Sequence, residues 1–284
     1  MNPTMTLTTA QSALPEYGNP PVVETVVGVQ FQSLSGFTNA HLGAFWQALG
    51  VEEWPTVQDV PPLPRQEERF TPEAQWGKAL RLQLSQNPAS RLQIRNRDGH
   101  RMLQLQNGRM HLNWLGEGCD RYPRYSEVRT EFDNLLTQFA KFVDANQLGS
   151  LTPDQWEVTY VNRIKQGLWT TPADWNFFRP LNGMPSIDGV IEPESFTGEW
   201  HFVIPEQRGR LHIHWQHARE TESDEDSQVL LTLTARGPIG NETGFNSSVL
   251  AGIDLGRETI VRSFRHLMSD PANTEWKLKN ASDC

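Results

Sequence analysis

Residues 91–115 read RLQIRNRDGHRMLQLQNGRMHLNWL, and their spacing decides the fold class. Leu92 and Ile94, Leu103 and Leu105, then Met110, Leu112 and Trp114 recur every second residue, the period of strands with one face in a core. Asp98-Gly99 and Asn107-Gly108 separate the runs, and both dipeptides tolerate the positive φ that tight hairpin turns require. The stretch predicts an antiparallel meander. Leu80, Leu82 and Leu84, set off by Asn87-Pro88, extend it upstream as a further strand.

Outward from the meander, Val128, Phe132, Leu135, Leu136, Phe139, Phe142 and Val143 form one stripe of a helix over residues 125–146, suited to cover one sheet face. Upstream, Val23, Val27, Val29 and Phe31 oppose Glu24, Gln30 and Gln32 in a strand over residues 22–32. A short helix over residues 39–49 follows, stopped by Gly50. Pro55, Pro61, Pro62, Pro64 and Pro72 then make residues 52–75 an extended connector without regular structure. After Thr152-Pro153 the order begins again: Trp156, Val158, Tyr160, Asn162 and Ile164 alternate, and a second irregular connector covers residues 170–198. Strands are expected over residues 200–204, 210–217 and 229–235, and a last helix over residues 253–268. The prediction is an α+β fold of two similar halves, each an antiparallel sheet crossed by a long helix, packed as one pseudo-duplicated unit. Its parts are a mobile tail (1–19), the first half (20–149), the second half (150–270) and a C-terminal extension (271–284). With both helices on one face, the other face or the seam is left for a ligand.

At 284 residues the chain is long enough to bury a core without disulfides. A net charge of -9 argues against a general nucleic-acid binder, because such binding rests on Lys and Arg neutralising phosphates. The basic strip Arg91, Arg95, Arg97, His100, Arg101 and Arg109 reads as a solvated sheet face ahead of an anion-binding surface. Two cysteines, Cys119 and Cys284, allow neither a disulfide framework nor a four-cysteine zinc site and fit a reducing cytoplasm. The chain shows neither a signal-peptide pattern nor a run of 18 apolar residues, so the expectation is a soluble cytoplasmic protein.

Asn19-Pro20-Pro21-Val22-Val23-Glu24, Tyr122-Pro123-Arg124-Tyr125, Tyr160-Val161-Asn162 and the closing Glu258, Phe264 and Trp276 are short motifs spread over most of the chain. In these the sequence resembles a sporadically distributed bacterial family of uncharacterised proteins of about this length. The resemblance implies a shared full-length architecture and patchy occurrence, as in accessory components of defence or toxin-linked systems. It implies no activity and no site.

Chemistry-bearing residues are few. In Leu211-His212-Ile213-His214 the two imidazoles share a strand face, and His201 joins them if the hairpin register is right. That set suits a divalent transition metal, although a polar strand face explains it as well. Glu24 reads as the polar face of an edge strand, or as a buried acid paired with Arg163. Trp169, Trp175, Phe177 and Phe178 form a docking surface if exposed. Residues 220–226 hold an acidic cluster at a hairpin tip. No phosphate loop, nucleophile elbow or metalloprotease helix is present. The reading is a non-enzymatic binding protein without a resident cofactor, its partner a protein or small ligand ahead of nucleic acid. The alternative is a metal-dependent enzyme, such as a hydrolase, working from His212 and His214.

Overall fold

The computed structural model describes residues 13–70, 90–117, 122–165, 177–179, 197–219, 227–240 and 244–279. In chain order these hold β1 (Glu16–Tyr17), β2 (Val22–Phe31), α1 (Asn39–Leu49), β3 (Thr56–Val60), β4 (Arg91–Arg95), β5 (Arg101–Gln106), β6 (Arg109–Leu115) and α2 (Tyr125–Ala145). There follow β7 (Pro153–Lys165), β8 (Thr197–Ile204), β9 (Gly209–Arg219), β10 (Ser227–Pro238), α3 (Phe245–Leu267), α4 (Asp270–Glu275) and β11 (Leu278–Lys279). The fold is α+β, dominated by one large antiparallel sheet of nine strands in the order β3-β4-β5-β6-β2-β7-β10-β9-β8. β1 and β11 pair separately. Among the described residues no helix is long and apolar enough to cross a membrane.

The meander forms β4, β5 and β6, with turns at the two glycines, Gly99 and Gly108, whose φ values are +78° and +99°. The run at Leu80 to Leu84 lies outside the described residues. Contrary to the expectation for residues 52–75, Thr56–Val60 is a strand. Pro55 and Pro61 stand just beyond its ends, and an edge strand needs donors toward one neighbour only.

Strand alternation puts Val27, Val29, Leu103, Leu105, Met110, Leu112, Trp156, Val158, Leu231 and Leu233 on one face, each at most 1% exposed. α2 packs against β2 and β6, and α3 against β7, β10 and β2. What lets α3 approach is Trp156. Gly252 and Gly256, one turn apart, lie on its indole, and a Cβ at Gly252 would stand 2.1 Å from Trp156 Cδ1. Gly209 and Gly237 close around the ring's other side.

Gly252→Ala therefore sets helix propensity, which gains about 1 kcal/mol, against overpacking, which costs about 1–3 kcal/mol. The expected result is a lower urea midpoint. Gly43→Ala, in α1 where nothing lies within 4 Å of an added Cβ, is expected to raise it.

Candidate functional site

The face opposite the helices is polar across most of the sheet. Gln93, Gln104, His111, Gly28, Glu157, Arg236 and Arg210 stand side by side on seven consecutive strands. Gly28 is the gap in this row that the His111 ring fills, since a Cβ there would lie 2.1 Å from His111 Cδ2. His111 is 4% exposed. Burial lowers its pKa to about 4 and keeps the imidazole neutral. Its Nε2 lies 3.4 Å from Glu157 Oε1 without making a hydrogen bond. Burial pushes the Glu157 carboxyl up, but the charges of Arg236 and Arg109 and the Arg236 hydrogen bond more than offset this and hold it below its usual range. Arg236 Nη1 donates to Glu157 Oε2 at 2.8 Å. Arg109, equally buried, donates to Gln30 Oε1 and the Pro64 carbonyl.

Across this face runs the chain after β3, held by glutamine side chains that imitate a strand partner. Gln106 bonds both the amide and the carbonyl of Leu63 at 2.9 Å. Gln30 does the same for Gln66 at 3.0 and 2.7 Å, and Gln155 accepts from the Glu68 amide at 3.1 Å. The result is to deliver Glu68 between Arg236, Arg210 and His212. Burial alone raises the Glu68 carboxyl, yet the hydrogen bond from His212 and the charge and hydrogen bond of Arg236 prevail and bring it to about 2. It is an anion, so it only accepts. His212 Nε2, 2.7 Å away, therefore carries a proton, and in the neutral ring Nδ1 is left with a lone pair. That lone pair faces His201 Nδ1 at 2.7 Å.

On the helix side a cavity of about 610 Å³ opens between the start of α2, α3 and the β1–β11 pair. Tyr17, Tyr122, Tyr125 and Tyr160 all line it, and the chain has four tyrosines. Arg257 lies 4.5 Å over the Tyr125 ring and acts electrostatically on the Tyr160 hydroxyl. Tyr17 and Tyr125 donate to Asn273 and Asp254 at 2.7 and 2.6 Å. Burial pushes the Tyr17 phenol up to about 12 and also raises Tyr122, Tyr125 and Tyr160, so all four are neutral donors at physiological pH. Asn162, Ile260, Val261 and Phe264 complete the walls. Among the described residues Arg257 has no carboxylate partner.

The residues singled out from the sequence scatter. His201 pairs directly with His212 across the β8–β9 ladder, while His214 faces Glu199. The donors that come together are Glu199, His201 and His212, within 4.8 Å of one another, without His214. Cross-strand partners are closer than residues two apart along one strand. Glu24 lies on β2, a central strand between β6 and β7 and not an edge; it accepts from Asn113 at 2.5 Å, and among the described residues no ion pair joins it to Arg163, whose buried Nε has no partner. Phe177 and Phe178 are buried, Phe178 stacking on Trp200, so they are packing and not an exposed docking surface. Trp169, Trp175 and the acidic cluster lie outside the described residues. The basic strip divides between the two faces: Arg101 bonds Glu131 of α2, and Arg91 bonds Gln104 on the polar face.

Glu68 gave no sequence signal, lying in a segment read as an extended connector. Pro20, Val22, Tyr122, Pro123, Arg124, Tyr125, Tyr160, Asn162 and Phe264 of the cavity belong to short stretches quoted from the sequence, but no site was expected from them. No protein-family model matches the chain, and no curated protein matches it in sequence.

The buried groups fix a pH dependence. Unfolded chains protonate histidine near pH 6.5, whereas folded His111 resists until about 4, so stability is lost as pH falls through that window. Glu68 adds a second loss as pH falls from about 4.5 toward about 2. Urea midpoints measured from pH 7 to pH 3 are expected to fall in both windows, and His111→Gln to make the upper one shallower while leaving the lower.

Proposed function

We propose that the protein is a binding protein, not a catalyst, and that it holds a small amphipathic anion in the tyrosine-lined cavity. The observation that carries this is the convergence of all four tyrosines on one cavity with an arginine free of carboxylates among the described residues. About 610 Å³ suits a small ligand. Arg257 supplies a planar cation for a carboxylate or phosphate. With Tyr17 and Tyr125 donating to Asn273 and Asp254, the Tyr160 hydroxyl is the donor left for the same anionic end, and the Tyr faces with Ile260, Val261 and Phe264 enclose an apolar body.

Two organisational readings accompany this. The strand orders 3-4-5-6-2 and 8-9-10-7, in which the first strand of each set is central and a meander returns to it from the edge, support two related halves joined through β2 and β7. The two-cysteine composition supports a cytoplasmic setting.

The test is thermal shift and calorimetry with a panel of aromatic and aliphatic carboxylates and their neutral amides. Carboxylates are expected to raise Tm and amides not. Arg257→Met removes charged hydrogen bonds of about 1.5–3 kcal/mol, so affinity should fall at least about tenfold. Tyr160→Phe should weaken binding less. Equal binding of amides, or no binding by any member, overturns the reading.

A further inference from the structure

We propose a second site, on the opposite sheet face: a zinc-type divalent metal site made by His201 and His212, with Glu199 as third donor and Glu68 as the carboxylate that orients His212. The geometry is already that of a metal-ligating histidine with its outer partner in place. Such histidines donate one ring N–H to a carboxylate, which fixes the tautomer and directs the other nitrogen at the metal. In His212 the Nε2–H is held by Glu68 at 2.7 Å, and Nδ1 points at His201 Nδ1.

Glu68 is 3% exposed, with one oxygen taken by Arg236 and His212 and the other by Arg210, so it does not compete as a ligand. His201 is 48% and His212 19% exposed at the side chain, which leaves an entry path from solvent. Two nitrogens 2.7 Å apart share one proton in the metal-free form. Opening the pair by a few tenths of an ångström and moving the His201 proton from Nδ1 to Nε2 presents both lone pairs to one cation. Glu199, two residues before His201 on the same strand face, has its carboxylate within 4.8 Å of both imidazole donors. Two imidazoles and one carboxylate with an open fourth position suit Zn²⁺ better than oxygen-seeking Mg²⁺ or Ca²⁺. The donors come from adjacent strands of a ladder whose register pairs His201 with His212, and no loop movement is needed to assemble them.

The experiment is Zn²⁺ titration of the full chain by calorimetry at pH 7.5, with Mg²⁺ as the comparison ion. The stoichiometry is read directly, and histidine side-chain NMR identifies the rings that shift. One Zn²⁺ per chain is expected, with the His201 and His212 signals moving and that of the buried His217 not. His201→Ala and His212→Ala should each weaken binding at least about tenfold, and Glu68→Gln, with the metal ligands intact, by about tenfold or more. His214→Ala should leave affinity unchanged. Each variant's Tm is measured alongside, so that loss of fold is distinguished from loss of ligand. Unchanged Zn²⁺ affinity in folded His201→Ala, an equal loss in His214→Ala, or binding no tighter than that of Mg²⁺ overturns the proposal.

Discussion

The antiparallel pairing of β2 with β7 is the contact on which the remaining architecture hangs. It joins two runs of strands that otherwise share no ladder, and its register decides what each face carries. With Val29 opposite Trp156 and Val27 opposite Val158, one side is an apolar seat for α3. With Gly28 opposite Glu157, the other side has a hole and a buried acid. A slip of one residue exchanges the faces and sets Glu157 against the helices and Trp156 against the polar chain segment. Glycine is needed on both sides of this seam for the same reason: a large ring, His111 on one face and Trp156 on the other, occupies the volume of the missing side chain.

A sheet buried on both faces normally reads as continuous apolar strands. Here one face is buried and polar, and its cohesion is electrostatic. Glu68 and Glu157 neutralise Arg236 and Arg210, and amide side chains satisfy the crossing backbone, so few polar atoms are left unpaired among the described residues. Such a network is costly to desolvate and costlier to break, because removing one partner strands the others. That makes Glu68 a tie between a segment near residue 68 and strands 140 to 170 residues later. It also explains why a proline-rich segment lies in one defined path over the sheet, its course set by Gln106, Gln30 and Gln155 and not by a ladder.

Much of the fold was legible. The period-two runs and the two Asx-Gly turns gave β4 to β6, and the stripe from Val128 to Val143 gave α2, because each signal is local. The strand Thr56–Val60 was hidden by prolines that border it without entering it. α3 begins at Phe245, eight residues before the apolar stripe suggested, since its first turns carry weak helix formers, Asn246 held by hydrogen bonds to Asp133 and Thr137 and Gly252 by close packing on Trp156. The sites were less legible. Whether His201 met His212 depended on a turn over residues 205–208, where Glu206 and Gln207 adopt positive φ, a conformation their side chains do not advertise. Tyr17, the Tyr122–Tyr125 pair and Tyr160 lie on three separate segments, so only the tertiary fold brings them together.

Net charge excluded less than it first suggested. A charge of -9 bears on long polyanions, which contact a protein over many ångströms, but solvent charges are screened within about 8 Å at physiological salt. A small anion entering the cavity meets only what faces it. There the lining carries Arg257 over an aromatic ring, Arg124, a Glu16 carboxylate offset by Lys279 at 3.8 Å, and phenols that burial keeps protonated. In a partly enclosed, low-dielectric setting one such guanidinium attracts an anion far more strongly than in water, while distant carboxylates contribute little. On the proposed reading selectivity is local: an acidic protein can repel a nucleic-acid chain at its surface and still favour a carboxylate in a cavity of a few hundred cubic ångströms.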